Sequence, residues 1–217
     1  AGYRKLDFAA PLDAQGVPVV ALAGTCMEAG KTAAACAMVS RMRHRGLVVD
    51  CFKATGVSLR RDILAMEDAG ARNSMIFTDL GVITTTRAVG PALTRTMITE
   101  LAAKKPDIIV FELGDGILGT YGVDSILECD DIRGALTGVV LSANDPVAAW
   151  GGVKLLRERF KVEPCAVTGP ATDNAVGVDI IREQMGVAAH NALTDGIGLG
   201  DRVIEAVGLA AKFPAAH

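Results

Sequence analysis

The sequence predicts an α/β domain, a three-layer α/β/α sandwich on a mostly parallel sheet. Three observations carry this. Apolar runs rich in β-branched residues alternate with helical patterns from residue 17 onward. Those runs are largely apolar, as strands buried on both faces are, rather than alternating with polar residues. The first, residues 17–23, passes into Gly24-Thr25-Cys26-Met27-Glu28-Ala29-Gly30-Lys31-Thr32 and then an alanine-rich helical run, residues 32–44. Strand, glycine-bounded loop ending in Gly-Lys-Thr, then helix is the layout of a phosphate-binding loop.

The residue types fit that chemistry. Glycines let the backbone curl so that successive N–H groups face one anion. The helix N-terminus adds partial positive charge, worth about 0.3–1 kcal/mol at an exposed site. Lys31 would reach the terminal phosphates, and the Thr32 hydroxyl would hold Mg²⁺. Five residues, Thr25 to Ala29, separate the two glycines, where the usual spacing is four.

Further strands are expected at 47–52, 108–112, 138–142 and 164–168, with a weaker one at 188–189. Helices are expected near 32–45, 59–70, 87–104, 123–133, 146–160, 174–185 and 200–211. Ligands of such sheets bind at the carboxyl ends of the strands, so the chemistry is sought there. The second strand runs into Lys53 and Thr55-Gly56, and Asp62 opens the next helix. Lys53 would neutralise transferring phosphoryl charge or a substrate carboxylate, or it is a solvated lysine at a strand tip. Asp62 would either bind the metal or match the charge of a helix's first turn. The run Ile108-Ile109-Val110-Phe111 ends in Glu112-Leu113-Gly114-Asp115-Gly116. An acid at such a place holds the Mg²⁺ shell in phosphate-loop proteins, usually beside the loop's own strand. Glu112 is the first choice and Asp115 the reserve. The glycines at 119 and 122 either permit close approach of a substrate or make a turn. Asn144 or Asp145, before Pro146, reads as a helix cap, and so does Asp173 or Asn174 more than a base contact.

Residues 1–16 carry no clear period and read as an N-terminal arm or linker, leaving 17–217 as one nucleotide-binding domain. A formal net charge of −3 gives no electrostatic reason to expect nucleic acid or an anionic membrane. No stretch of apolar residues is long enough to span a bilayer, and no signal-peptide pattern opens the chain. Five cysteines without a Cys-x-x-Cys pair read as reduced thiols of a cytoplasmic protein. The three histidines, His44, His190 and His217, are far apart and suggest no transition-metal site.

The Gly-x5-Gly-Lys-Thr loop, Lys53 followed by Thr55-Gly56, Asp62-Ile63-Leu64-Ala65-Met66 and the strand ending in Glu112 together resemble dethiobiotin synthetase and its cobyrinic-acid amidotransferase relatives, within the P-loop NTPases. The resemblance runs from about residue 17 to 116. It implies that Lys31 is the phosphate lysine, Thr32 a metal ligand, Lys53 an active-site lysine, and Asp62 and Glu112 metal-shell acids. Glu28 falls where the synthetase loop carries a glutamate. The family implies ATP, Mg²⁺, a carboxyl phosphate intermediate on a small-molecule substrate, and a homodimer. Cys26 and Met27 replace a polar pair of the synthetase loop, and Glu112-Leu113-Gly114-Asp115-Gly116 replaces Glu-Gly-Ala-Gly, so the nucleotide half is kept better than the substrate half. The chain also resembles the P-loop domain of D-glutamate N-acetyltransferase-like proteins. That resemblance implies an N-terminal domain outside this chain and admits acyl transfer with coenzyme A. The leading expectation is Mg-ATP-dependent phosphorylation of a small carboxylate for ligation or amidation. The alternative is a nucleotide-binding regulatory or accessory domain.

Overall fold

The computed structural model describes residues 6–210. Six strands, β1 (Val19–Gly24), β2 (Val49–Lys53), β3 (Asn73–Ile76), β4 (Ile108–Glu112), β5 (Leu136–Ser142) and β6 (Ala166–Thr168), form one sheet in the order β3-β2-β4-β1-β5-β6. Every pairing is parallel. Five strands fall where the apolar runs were expected, and β3 does not. The weak 188–189 expectation survives only as a bridge between Ala189 and Val167.

The helices are α1 (Lys31–His44), α2 (Arg60–Asp68), α3 (Gly90–Ala102), α4 (Val123–Glu128), α5 (Asp130–Ala135), α6 (Pro146–Glu158), α7 (Ala175–Met185) and α8 (Gly196–Ala206). Right-handed crossovers place α1 and α2 on one face, where α8 packs along α1. The helices α3 to α7 cover the other. The core lies along the sheet between these layers, where β1, β2, β4 and β6 are buried throughout. Phe52 and Phe111, paired in register on β2 and β4, stack with ring centroids 4.5 Å apart.

Two expectations shift. The helix expected over 123–133 is two short ones broken at extended Cys129 (ψ 119). The one expected over 200–211 starts at Gly196, capped by Asp195, whose carboxylate accepts the Gly198 N–H at 3.1 Å; residue 211 lies outside the described residues, as do His217 and the first five residues of the arm. Residues 6–16 run irregularly beside α3, where Thr99 Oγ1 accepts the Asp13 N–H at 3.0 Å. Among the described residues no helix is long and apolar enough to cross a membrane, and all five cysteines are free thiols.

One polar cluster fixes the β3 edge. The Asp50 carboxylate, fully buried, accepts from Arg72 Nε at 3.1 Å and Nη2 at 2.7 Å, and from Asn73 N and Nδ2 at 3.1 and 3.0 Å. Replacing it orphans four donors. Breaking a buried pair costs about 3–5 kcal/mol, and because the Arg72 side chain is 39% exposed we expect Asp50→Ala to lose about 2–3 kcal/mol. Urea unfolding checks this; a loss under about 0.5 kcal/mol, the size of an ordinary surface substitution, would show that β3 is held by other contacts.

Candidate functional site

The site forms where β1, β2 and β4 end. In the parallel register Leu22 pairs with Glu112, and Glu112 with Lys53. Paired residues share a face, so Glu112 and Lys53 stand side by side on the face that α1 covers. Glu112 therefore ends the strand next to the loop's own strand, as expected. The acid meets the first turn of α1: Thr32 Oγ1 donates to Glu112 Oε2 at 3.0 Å.

The loop between β1 and α1 is curled. Glu28 and Gly30 both take left-handed backbone, at φ 58 and 91, which accommodates the additional residue between the two glycines. Thr25 N–H donates to the Ser142 carbonyl at 2.9 Å, tying the loop to β5. Met27 and Glu28 form a turn that brings the Ala29 N–H towards the Cys26 carbonyl. Among the described residues the other backbone N–H groups from Cys26 to Ala33 have no backbone acceptor, which makes them a set of donors open to an anion. Lys31 folds back along the loop, and its Nζ donates to the Cys26 carbonyl at 2.9 Å. Gly24 makes room for it, since a Cβ there would lie 2.7 Å from Nζ.

Charge is concentrated and dry here. Lys31, Lys53 and Glu112 are each about 95% buried. Burial pushes the Lys31 pKa down, and the carboxylates of Glu112 and Asp115 offset this only in part. Burial likewise pushes the Glu112 carboxyl up, against the pull of Lys53 and Lys31. Lys53 and Asp62 form an ion pair with side chains 6% and 13% exposed. Asp62 does sit in the first turn of α2, and its carboxylate is also 3.7 Å from Arg61 Nε.

Met27, Glu28, Lys31, Thr32, Lys53, Asp62, Glu112 and Asp115 line one cleft of about 200 Å³. Gly24, Thr25, Cys26, Ala29 and Gly30 belong to the same loop but are not among the residues lining that cleft. The sequence-derived set thus converges on one place. Asp115, between two glycines, holds φ 73, a costly conformation for a residue with a Cβ. Asp145 and Asn174 are plain helix caps, accepting from Ala148 N at 2.8 Å and Gly177 N at 2.9 Å, and Asp173 accepts from Asn191. None of these lines the cleft. Sequence reasoning missed Gly56, Val57, Leu59, Arg61 and Tyr121 as lining residues, and Thr85 behind them. The Thr84-Thr85-Thr86 triplet carries no motif, and only the tertiary contacts give it meaning.

The sequence matches no protein-family model and no curated protein. Solved structures do match. The chain is similar to the signal recognition particle receptor FtsY of Elizabethkingia anophelis, with TM-score 0.57, 14% identity, and 85% of this chain aligned to 64% of that one. It is similar to the hydrogenase maturation factor HypB of Archaeoglobus fulgidus, with TM-score 0.57, 11% identity, and 89% of this chain aligned to 91% of that one. It is also similar to a DUF1611 family protein of Anabaena variabilis, with TM-score 0.58, 15% identity, and 93% of this chain aligned to 62% of that one. The chain thus spans under two thirds of the first and third of these proteins. Such identities speak to architecture alone: the chain has the P-loop NTPase fold.

Proposed function

We propose that this chain binds a nucleoside triphosphate with Mg²⁺ at the loop Gly24–Thr32 and transfers its terminal phosphoryl group to a small carboxylate, in the manner of dethiobiotin synthetase. The observation that carries the reading is one cleft holding the open amides, Lys31, the Thr32–Glu112 contact and a second buried lysine, Lys53. Phosphoryl transfer needs positioning and charge dispersal more than a nucleophile, and these groups supply both. Lys31 would leave the Cys26 carbonyl for the phosphates, exchanging one acceptor for a charged one.

The residues fit Mg²⁺. Thr32, Glu112 and Asp62 offer hard oxygen donors. No three His, Cys, Asp or Glu side chains among the described residues converge into a cage, and a metal held partly by phosphates needs only one or two carboxylates. Bound there, the ion supplies charge stabilisation to the transferring group. Asp62 would exchange Lys53 for the metal shell, freeing the lysine for the acceptor carboxylate. ATP is the proposed nucleotide. A homodimer and a further N-terminal domain are part of the same reading.

A second reading, a nucleotide-governed switch, is favoured by the way the loops after β2 and β4 are tied together beside the cleft. The two differ in turnover. An enzyme releases ADP when one small acid is added, and a switch hydrolyses slowly until a partner protein arrives.

Lys31→Ala should weaken Mg-ATP binding at least about 100-fold, a loss of about 2.7 kcal/mol, with an unchanged circular dichroism spectrum. Calorimetry reads it, and wild-type affinity in this variant would overturn the loop assignment. Lys53→Ala should keep ATP affinity within about threefold while lowering acceptor-stimulated ADP release at least about 100-fold, the range for loss of a charge-stabilising group. Retained release would make Lys53 structural.

A further inference from the structure

The loops leaving β2, β3 and β4 meet beside the cleft through one buried side chain. Thr85 is 2% exposed. Its hydroxyl accepts the Gly56 N–H at 2.9 Å and donates to the Tyr121 carbonyl at 2.9 Å. Gly56 belongs to the loop leaving β2 and Tyr121 to the loop leaving β4, and both line the cleft. An antiparallel bridge joins Val57 to Thr84. Fully buried Thr55 donates its hydroxyl to the Gly114 carbonyl at 3.0 Å.

Lys53 runs between these loops. A Cβ on Gly56 would lie 3.6 Å from the lysine Cε, and one on Gly114 would lie 3.2 Å from it. The stem is threaded through a slot walled by two glycines, and the slot's width is set by whatever ties the two loops together. Two hydroxyls do so: Thr55 joins them directly at Gly114, and Thr85, whose N–H also donates to the Gly56 carbonyl at 3.4 Å, grips both from the loop after β3. Valine has nearly the shape of threonine but can neither accept nor donate, whereas serine keeps both hydrogen bonds.

We propose that Thr85 is a positioning residue for Lys53: its hydroxyl holds the two loops at the spacing that aims Nζ into the cleft, and makes both loops respond together when the cleft fills. Only the response to a filled cleft rests on the nucleotide reading.

The test compares wild type, Thr85→Val and Thr85→Ser by hydrogen–deuterium exchange and by labelling of Lys53 with an amine-reactive ester, read by mass spectrometry. Without nucleotide, Thr85→Val should exchange at least about tenfold faster over residues 54–57 and 119–122, with residues 24–33 unchanged. Lys53 labelling should rise about fivefold as its amine leaves the slot. Thr85→Ser should match wild type in both. With Mg-ATP, wild type and Thr85→Ser should gain protection over both loops, and Thr85→Val over residues 24–33 alone. Unchanged exchange and labelling in Thr85→Val, or a Thr85→Ser protein as disturbed as Thr85→Val, would overturn the proposal. If Mg-ATP protects nothing at 24–33 in wild type, the nucleotide reading falls, and the nucleotide-free comparison still decides the role of Thr85.

Discussion

A buried carboxylate at the end of β4 is the constraint around which this molecule is arranged. Glu112 lies in parallel register between Leu22 of the phosphate-loop strand and Lys53 of β2, under the first turn of α1, whose Thr32 hydroxyl it accepts. An ionised carboxylate so placed is tolerable only with partners, and Lys53, Lys31 and Thr32 surround it. The direction of its pKa shift shows that burial still outweighs them. The site carries electrostatic tension that a cation or a protonated group would relieve.

The sheet explains why the tension sits there. Crossovers from β1 and β2 go to one face and those from β3, β4 and β5 to the other, which opens a crevice at the strand ends. Below that rim the strands are buried and, Asp50 apart, the central ones are apolar; at the rim they turn polar within one residue, from Phe52 to Lys53 and from Phe111 to Glu112. The stacked phenylalanines on one face and the lysine–glutamate pair on the other come from the same two-residue alternation. Stability and chemistry are thus written on opposite faces of the same strands.

Much of this was legible in the residues. The central strands announced themselves as β-branched runs, and the loop as glycines followed by Gly30-Lys31-Thr32. The edge strand β3 did not, because Asn73-Ser74-Met75-Ile76 offers only two apolar residues; what holds it is the Asp50–Arg72 pair, a contact across 22 residues. The start of α8 was hidden by Gly196, Gly198 and Gly200, poor helix formers. Two of those glycines are needed for contact with α1: a Cβ at 200 would lie 2.4 Å from the Arg41 Cβ and one at 196 would lie 3.1 Å from the Ala37 Cβ. In the site, the residues recognisable by type were brought together, whereas Thr85 acts through hydrogen bonds to backbone groups 29 and 36 residues away. No local pattern encodes those.

The account rests on backbone amides of the β1–α1 loop being donors to a polyanion. Titration of isotope-labelled protein followed by NMR tests that most directly. Mg-ATP should move the amide resonances of Cys26 to Thr32 more than any others, while adenosine leaves them in place. Unmoved loop amides with Mg-ATP, or equal shifts with adenosine, would contradict it.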